Sequence, residues 1–273
     1  MAKKYLEKNV LEAAIERLEI IFNEFENVYF SVSGGKDSSV MIQLANKVAQ
    51  KMNKKFDILF IDLEAQYTKT IEHIEELKKL SQIRDFYHIA LPLALRNAVS
   101  ILQPKWICWE EESKNLWIRE MPEDAINIHN SPFDWFEKGE EFEEFIVQFA
   151  SWYKKQHEGT VACGIGIRTD ESLNRFRTIS FQKHKETFKN YNWTTRVKFS
   201  NQILDVYNFY PIYDFSVEDI WGAISKLDLK YNKIYDLMYK NGLTLAEQRI
   251  CQPYGDDQRK GLDQFKALEY ETW

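Results

Sequence analysis

The chain is 273 residues long, 44% apolar and 29% charged, with a formal net charge of −6. That suffices for one sizeable core with an elaboration and excludes a disordered or low-complexity chain. The negative balance argues against broad electrostatic binding of nucleic acid. No apolar run nears the ~20 residues of a membrane span and no signal core follows the Lys-rich N-terminus, so a cytoplasmic protein without a membrane partner is the expectation.

From about Tyr5 to Phe25, apolar residues such as Val10, Ala14, Leu18, Ile21 and Phe22 recur at helical spacing and predict a leading helix. The β-branched and aromatic run Val28-Tyr29-Phe30 predicts a first strand, and Val40 to Met52 a helix with one apolar face. Phe56 to Ile61 reads as a parallel-type strand ending at Asp62, Thr68 to Leu80 as a helix, and Phe86 to Leu91 as a strand stopped by Pro92. This strand–helix alternation predicts an α/β fold with a parallel twisted sheet flanked by helices, whose ligands bind beyond the carboxyl ends of the strands. Residues 96–158 break the rhythm with five tryptophans among many carboxylates; Phe142, Phe145, Ile146, Phe149 and Trp152 keep helix spacing and are expected to pack inward. Val161 to Ile167 returns to strand character, Ile203 to Tyr210 predicts a further strand, and Ser216 is a candidate N-cap for a helix through Leu227. A helix from Tyr231 to Lys240 stops at Asn241-Gly242. The expected division is 1–95 and 159–230 as halves of one nucleotide-binding domain, 96–158 as an acidic Trp-rich insertion, and 231–273 as a helical tail region.

Between the first strand and its helix lies Val32-Ser33-Gly34-Gly35-Lys36-Asp37-Ser38-Ser39. Paired glycines let successive amides point into one concavity, and the helix start adds unpaired N–H groups and a positive dipole end. Lys36 supplies a point charge, and Ser33, Ser38 and Ser39 supply hydroxyls. The spacing is not that of a Walker A loop. Ser33-Gly34-Gly35-Lys36-Asp37-Ser38 resembles the PP-loop of the adenine nucleotide alpha-hydrolase superfamily, in its phosphoadenosine phosphosulfate (PAPS) reductase-like branch. The resemblance implies a Rossmann-like fold that binds ATP or PAPS with the anion on this loop, the ATP-using members cutting between the α and β phosphates.

Further stretches are similar to the family's motifs. In Asp62-Leu63-Glu64-Ala65-Gln66-Tyr67-Thr68-Lys69-Thr70, Asp62, Tyr67 and Thr70 match, and Leu63 and Lys69 depart. Gly166-Ile167-Arg168-Thr169-Asp170-Glu171-Ser172-Leu173-Asn174-Arg175 resembles a Gly-x-Arg-Arg-x-Glu-Ser-x-x-Arg stretch with Thr169 in place of the second Arg. Arg168 and Arg175 suit bidentate contact with phosphate or sulfate, and Glu171 suits holding one Arg in place. Asn232, Tyr235 and Gly242 fall on an Asn-x-x-Tyr-Asp…Gly stretch. With ATP as ligand, Mg²⁺ is expected, with Asp37 and Asp62 as its candidate ligands.

Cys108, Cys163 and Cys251 stand singly, so neither a disulfide framework nor a metal or iron–sulfur cluster is indicated. The tail lacks the Cys-Gly-x-His element of the thiol-dependent PAPS reductases. The favoured function is therefore nucleotidyl transfer to an unidentified acceptor, with Lys36, Arg168 and Arg175 stabilising the charge that develops. The chain is also similar to the adenylyl-transferring subunit of ATP sulfurylase and, among PAPS reductase-like proteins, to the immunoglobulin-binding regulator A type, which implies a ParB-like protein partner. Three alternatives stand: a reductase or sulfotransferase-like enzyme using Cys251, a non-catalytic nucleotide sensor regulating a partner or transcription, and sulfur insertion into nucleic acid. A homo-oligomer is compatible with all of them.

Overall fold

In the computed structural model, the described residues are 7–180, 186–199, 202–250, 253–255 and 268. Helix α1 (Val10–Glu24) precedes β1 (Asn27–Val32), α2 (Lys36–Lys51), β2 (Phe56–Ile61), α3 (Thr68–Leu77) and β3 (Ile83–Ile89). A short hairpin follows, β4 (Ala94–Arg96) with β5 (Lys105–Ile107), and then α4 (Phe142–Gln156) and β6 (Val161–Ile165). The chain continues through α5 (Leu173–Ser180), the antiparallel pair β7 (Thr194–Phe199) and β8 (Gln202–Phe209), α6 (Val217–Leu227) and α7 (Ile234–Lys240).

The main sheet has the order β3-β2-β1-β6-β8-β7. It is parallel except at β7, an antiparallel edge strand. β7 thus adds an antiparallel edge to the expected parallel twisted sheet. Thr194-Thr195-Arg196-Val197-Lys198-Phe199 mixes charges with apolar residues, as an edge strand facing water can.

Period-two alternation divides the strands between two cores. Val28 and Phe30 of β1 and Ile58 and Phe60 of β2 join Leu18, Phe22, Val40 and Ile224 on the face covered by α1, α2 and α6. Tyr29, Leu59 and Ile61 point the other way, onto Phe145, Phe149 and Tyr153 of α4. Phe149 packs on Tyr29 at 5.5 Å and on Tyr87 at 5.4 Å, so Phe149→Ala would cost about 3–5 kcal/mol. One charge sits in this layer: Asp57, wholly buried, accepts from Tyr153 Oη at 2.6 Å and from Arg84 at 2.7 and 2.9 Å. Residues 142–156 are thus the second helical layer of the sheet, while the irregular chain is confined to about 97–141.

α6 starts as expected. Ser216 Oγ accepts from Asp219 N at 3.1 Å while Asp219 Oδ2 accepts from Ser216 N at 2.8 Å, a reciprocal cap worth about 1 kcal/mol. Arg17 of α1 clasps Asp214 at 2.8 and 2.6 Å and donates to the Pro211 carbonyl at 2.8 Å, tying the first helix to the turn after β8.

Candidate functional site

The loop after β1 sits at the carboxyl edge of the sheet. Gly34 turns at φ +74°, and a Cβ there would lie 2.7 Å from Thr70 Cγ2, so both the backbone and the neighbour require glycine. Gly35, extended, is the N-cap of α2. The Ser38 and Ser39 hydroxyls donate back to its carbonyl at 3.1 and 2.8 Å, and its own amide donates to Ser33 Oγ at 3.4 Å. Ser33 and Ser38 hydroxyls lie 3.3 Å apart. First-turn amides have no carbonyl within the helix to bond. Lys36 N finds Tyr235 Oη at 3.0 Å, at the positive end of the helix dipole.

Two elements from the far end of the chain brace this loop. Asn232, fully buried, donates to both the Gly34 carbonyl (3.1 Å) and Thr70 Oγ1 (2.9 Å), which pins the turn to α3. Tyr67, the N-cap of α3, packs with Ile234, Tyr235 and Met238. Lys36 is buried: its ammonium donates to the Gln248 carbonyl at 3.0 Å, lies 3.9 Å from Asp37 and 5.0 Å from the Tyr235 ring centroid. Burial lowers its pKa from the ordinary lysine value. On the other side of the first turn, Ser39 Oγ lies 2.7 Å from Nε2 of His73, whose pKa burial pushes down to about 4.

β6 brings the second motif alongside. Gly166 is there for contact: a Cβ would meet Ser38 Cα at 2.9 Å and Ser38 N at 3.0 Å. Arg168, buried, donates through Nε to Asp37 Oδ1 at 2.7 Å and through Nη1 to the Phe215 carbonyl at 3.5 Å. Its Nη2 has no partner among the described residues. Burial pushes the Asp37 carboxyl up against the pull of Lys36 and Arg168. Glu171 accepts from Arg168 N at 3.1 Å and pairs with Arg175, which is exposed on α5. Arg249 donates to the Glu171 carbonyl at 2.6 Å. The structure therefore gathers Ser33 to Ser39, Gly166, Arg168 and Glu171 into one place, with Arg175 held at its rim.

Asp62 follows a different logic. It is wholly buried; Oδ2 meets His88 Nε2 at 3.0 Å, and Oδ1 pairs with Arg119 and accepts from Glu64 N at 3.0 Å. Both oxygens are taken within the protein, and these bonds hold its pKa low despite burial. This is a departure from its expected role as nucleotide contact and Mg²⁺ ligand. Asp37, its oxygen on Arg168, is also an ill-suited ligand, and no group of three or more His, Cys, Asp or Glu suited to a metal occurs among the described residues. The residues present do not fit a protein-held Mg²⁺.

The sequence signals missed four contributors: Gln248, which acts through its carbonyl and so leaves no residue-type signature, and Arg119, His88 and His73. His73 was within reach of a pattern argument, three residues after Thr70 on the buried face of α3. Cys108 and Cys163 are buried, Cys163 pushed up to about 12 and Cys108 further, so neither is a ready nucleophile; Cys251 lies outside the described residues.

The chain is 39% identical to YbdN of Escherichia coli (strain K12) over 267 residues, which is 97% of this chain and 64% of that protein. It is 26% identical to MJ0973 of Methanocaldococcus jannaschii over 97% of this chain and 54% of that protein. The chain thus spans less than two thirds of the length of each. Among solved structures, FMN adenylyltransferase from Candida glabrata with FAD and pyrophosphate is 15% identical at a TM-score of 0.45, covering 86% of this chain and 64% of that one. PAPS reductase from Candida auris with phosphate is 13% identical at 0.43, covering 87% and 94%. The profile of the phosphoadenosine phosphosulfate reductase domain matches residues 27–241, from the first residue of β1 to just past α7, and the chain belongs to that family.

Proposed function

We propose that the protein binds an adenine nucleotide, ATP or PAPS, with its anionic groups on the 33–39 loop, and that with ATP it transfers a nucleotidyl group by cleavage between the α and β phosphates. The observation that supports this best is the junction of two distant segments: the left-handed Gly34 and the α2 N-terminus meet Arg168 through Asp37, at 2.7 Å. In this reading the acceptor's oxygen attacks the α-phosphorus, the α–β bridging bond breaks and pyrophosphate leaves. Loop amides and Lys36 neutralise the departing polyanion; Arg168 and, at the rim, Arg175 stabilise charge on the transferred group. An ammonium carries three protons and Gln248 takes one, so Lys36 retains donors for phosphate oxygens. The buried, unreactive Cys108 and Cys163 weigh against reductive cleavage by either.

Calorimetry with ATP and PAPS on the wild-type chain and on Lys36→Ala tests the site. Loss of one charge-assisted contact predicts about a ten- to hundredfold weaker affinity. Wild-type affinity in the variant would overturn the reading. A second reading, a nucleotide sensor, is favoured by one contact: the segment after α7 lies on Lys36 through Gln248, so nucleotide occupancy and the placement of that segment are linked. Tight binding of labelled ATP without pyrophosphate release would select it.

A further inference from the structure

A cleft of ≈ 110 Å³ opens in the Trp-rich segment, lined by Ala90, Pro92, Trp109, Trp117, Lys114 and His129 among others. Ala90 and Pro92 directly follow β3, so the cleft belongs to the same edge of the sheet as the 33–39 loop. Nothing described above uses it. We propose that it binds a small single-ring aromatic carboxylate.

Three observations fix the chemistry. First, the walls are indoles that have no donor to spare. Trp109 and Trp117 meet edge to face at 5.1 Å; Trp109 Nε1 donates to the Asp62 carbonyl at 2.8 Å and Trp117 Nε1 to the Glu110 carbonyl at 3.0 Å. Trp109 is further fixed by its backbone amide on the Glu64 carboxylate at 2.7 Å. Trp109 is buried, so the rigid ring surface that faces a ligand is that of Trp117, backed by Trp109, and it favours another arene. Second, the size selects one ring. At ≈ 110 Å³ the cleft is smaller than the closed cavity of about 150 Å³ that holds benzene, so it takes one ring at most and, being open, leaves part of that ring and its substituent at the mouth.

Third, the charge at the mouth selects an anion. Arg119 lies over the Trp109 ring at 4.9 Å and Lys114 over Trp117 at 5.5 Å, so each ring already carries a cation and a cationic ligand is repelled. Arg119 is neutralised by Asp62, whereas Lys114 has no carboxylate partner among the described residues. His129 is paired with Glu111. Glu111, which also lines the cleft, penalises a phosphate dianion more than a monoanion, because repulsion scales with ligand charge. An arene with one carboxylate on Lys114 satisfies all three.

The experiment uses the full chain and benzoate as probe, read by calorimetry and tryptophan emission, with benzylamine and cyclohexanecarboxylate as comparators. Benzoate should saturate, with benzylamine and the non-aromatic acid at least tenfold weaker. Lys114→Gln should weaken benzoate tenfold or more and leave benzyl alcohol unchanged; Trp117→Phe should stay within threefold of wild type while Trp117→Ala loses binding. ATP affinity, retained in Lys114→Gln, reports that the variant is folded. No saturation up to about 10 mM, equal affinity for benzylamine, or indifference to Lys114→Gln would overturn the site. A role as the acceptor's site rests on the nucleotidyl-transfer reading. Benzoate binding without ATP binding would sink that reading and keep the cleft; ATP binding without benzoate binding would do the reverse.

Discussion

Gly166→Ala perturbs the site without touching a charge. The added Cβ would sit 2.9 Å from Ser38 Cα and 3.0 Å from Ser38 N, and these are backbone atoms of α2's first turn that cannot rotate away. Carbon atoms rest at about 3.5–4.0 Å, so β6 and α2 must separate by roughly half an ångström or more. Overpacking of this kind costs about 1–3 kcal/mol. At about 2–4 °C per kcal/mol for domains of slightly smaller size, thermal unfolding should drop by several degrees. The same displacement pulls Asp37 from Arg168, and constellations of this kind tolerate only about 0.5 Å, so ATP affinity should fall about tenfold or more. Gly222→Ala is the internal control. It sits within α6 with nothing within 4 Å of the new Cβ, and helix propensity predicts a gain of about 0.5–1 kcal/mol with unchanged affinity. Wild-type unfolding temperature and affinity in Gly166→Ala would refute the argument that close approach is what this glycine supplies.

His73 predicts an acid-labile fold. Its folded pKa of about 4 lies below the ordinary 6.5, so stability is fully present above pH 6.5 and is lost as pH falls towards 4, where the unfolded chain alone takes the proton; the window is worth about 3 kcal/mol. In His73→Gln, urea midpoints between pH 6.5 and 4 should flatten by that amount, and an unchanged slope would contradict it. Lowering of the Lys36 pKa predicts that nucleotide affinity fades with rising pH before an ordinary lysine would deprotonate; Lys36→Arg should move the fall upward. Asp62→Ala removes the buried carboxylate that faces the Arg119 guanidinium and His88 Nε2 and should destabilise by about 3–5 kcal/mol, seen as a lower urea midpoint. If nucleotide affinity fell further than stability, a direct role for Asp62 would be restored. Native alkylation at pH 8 followed by peptide mass spectrometry should find Cys108 and Cys163 unlabelled, and labelling of either would show the core opens there.

Much of the architecture was legible because local and global signals agree. Phe56 to Ile61 reads as a strand and is β2; Ser216 reads as an N-cap and closes a reciprocal cap. The loop was legible for the same reason, since a left-handed turn before a helix demands glycine. Elements whose stability comes from elsewhere were less so. β7 is amphipathic and β4 and β5 have three residues each, too short for a period to show. The predicted helix at 231–240 begins only at Ile234, because Asn232 is spent on Gly34 and Thr70. Asp62 looked available because its partners stand 26 and 57 residues away; sequence spacing carries no information about which distant Arg will claim a carboxylate.

The route of the backbone through α4 bears on how such a protein can change its length. β3 is an outer strand and β6 lies beside β1 in the middle, so the stretch joining them is the return path across the sheet. Excising the tryptophan-bearing region as a cassette would sever that path and leave Tyr29, Leu59 and Tyr87 wet, on a bare pleated surface prone to self-association. A trimmed homologue would have to keep the 15 residues of α4, and with the coil before it would lose Arg119, the charge that faces buried Asp62. In that sense the ornament and the girder share one stretch of chain.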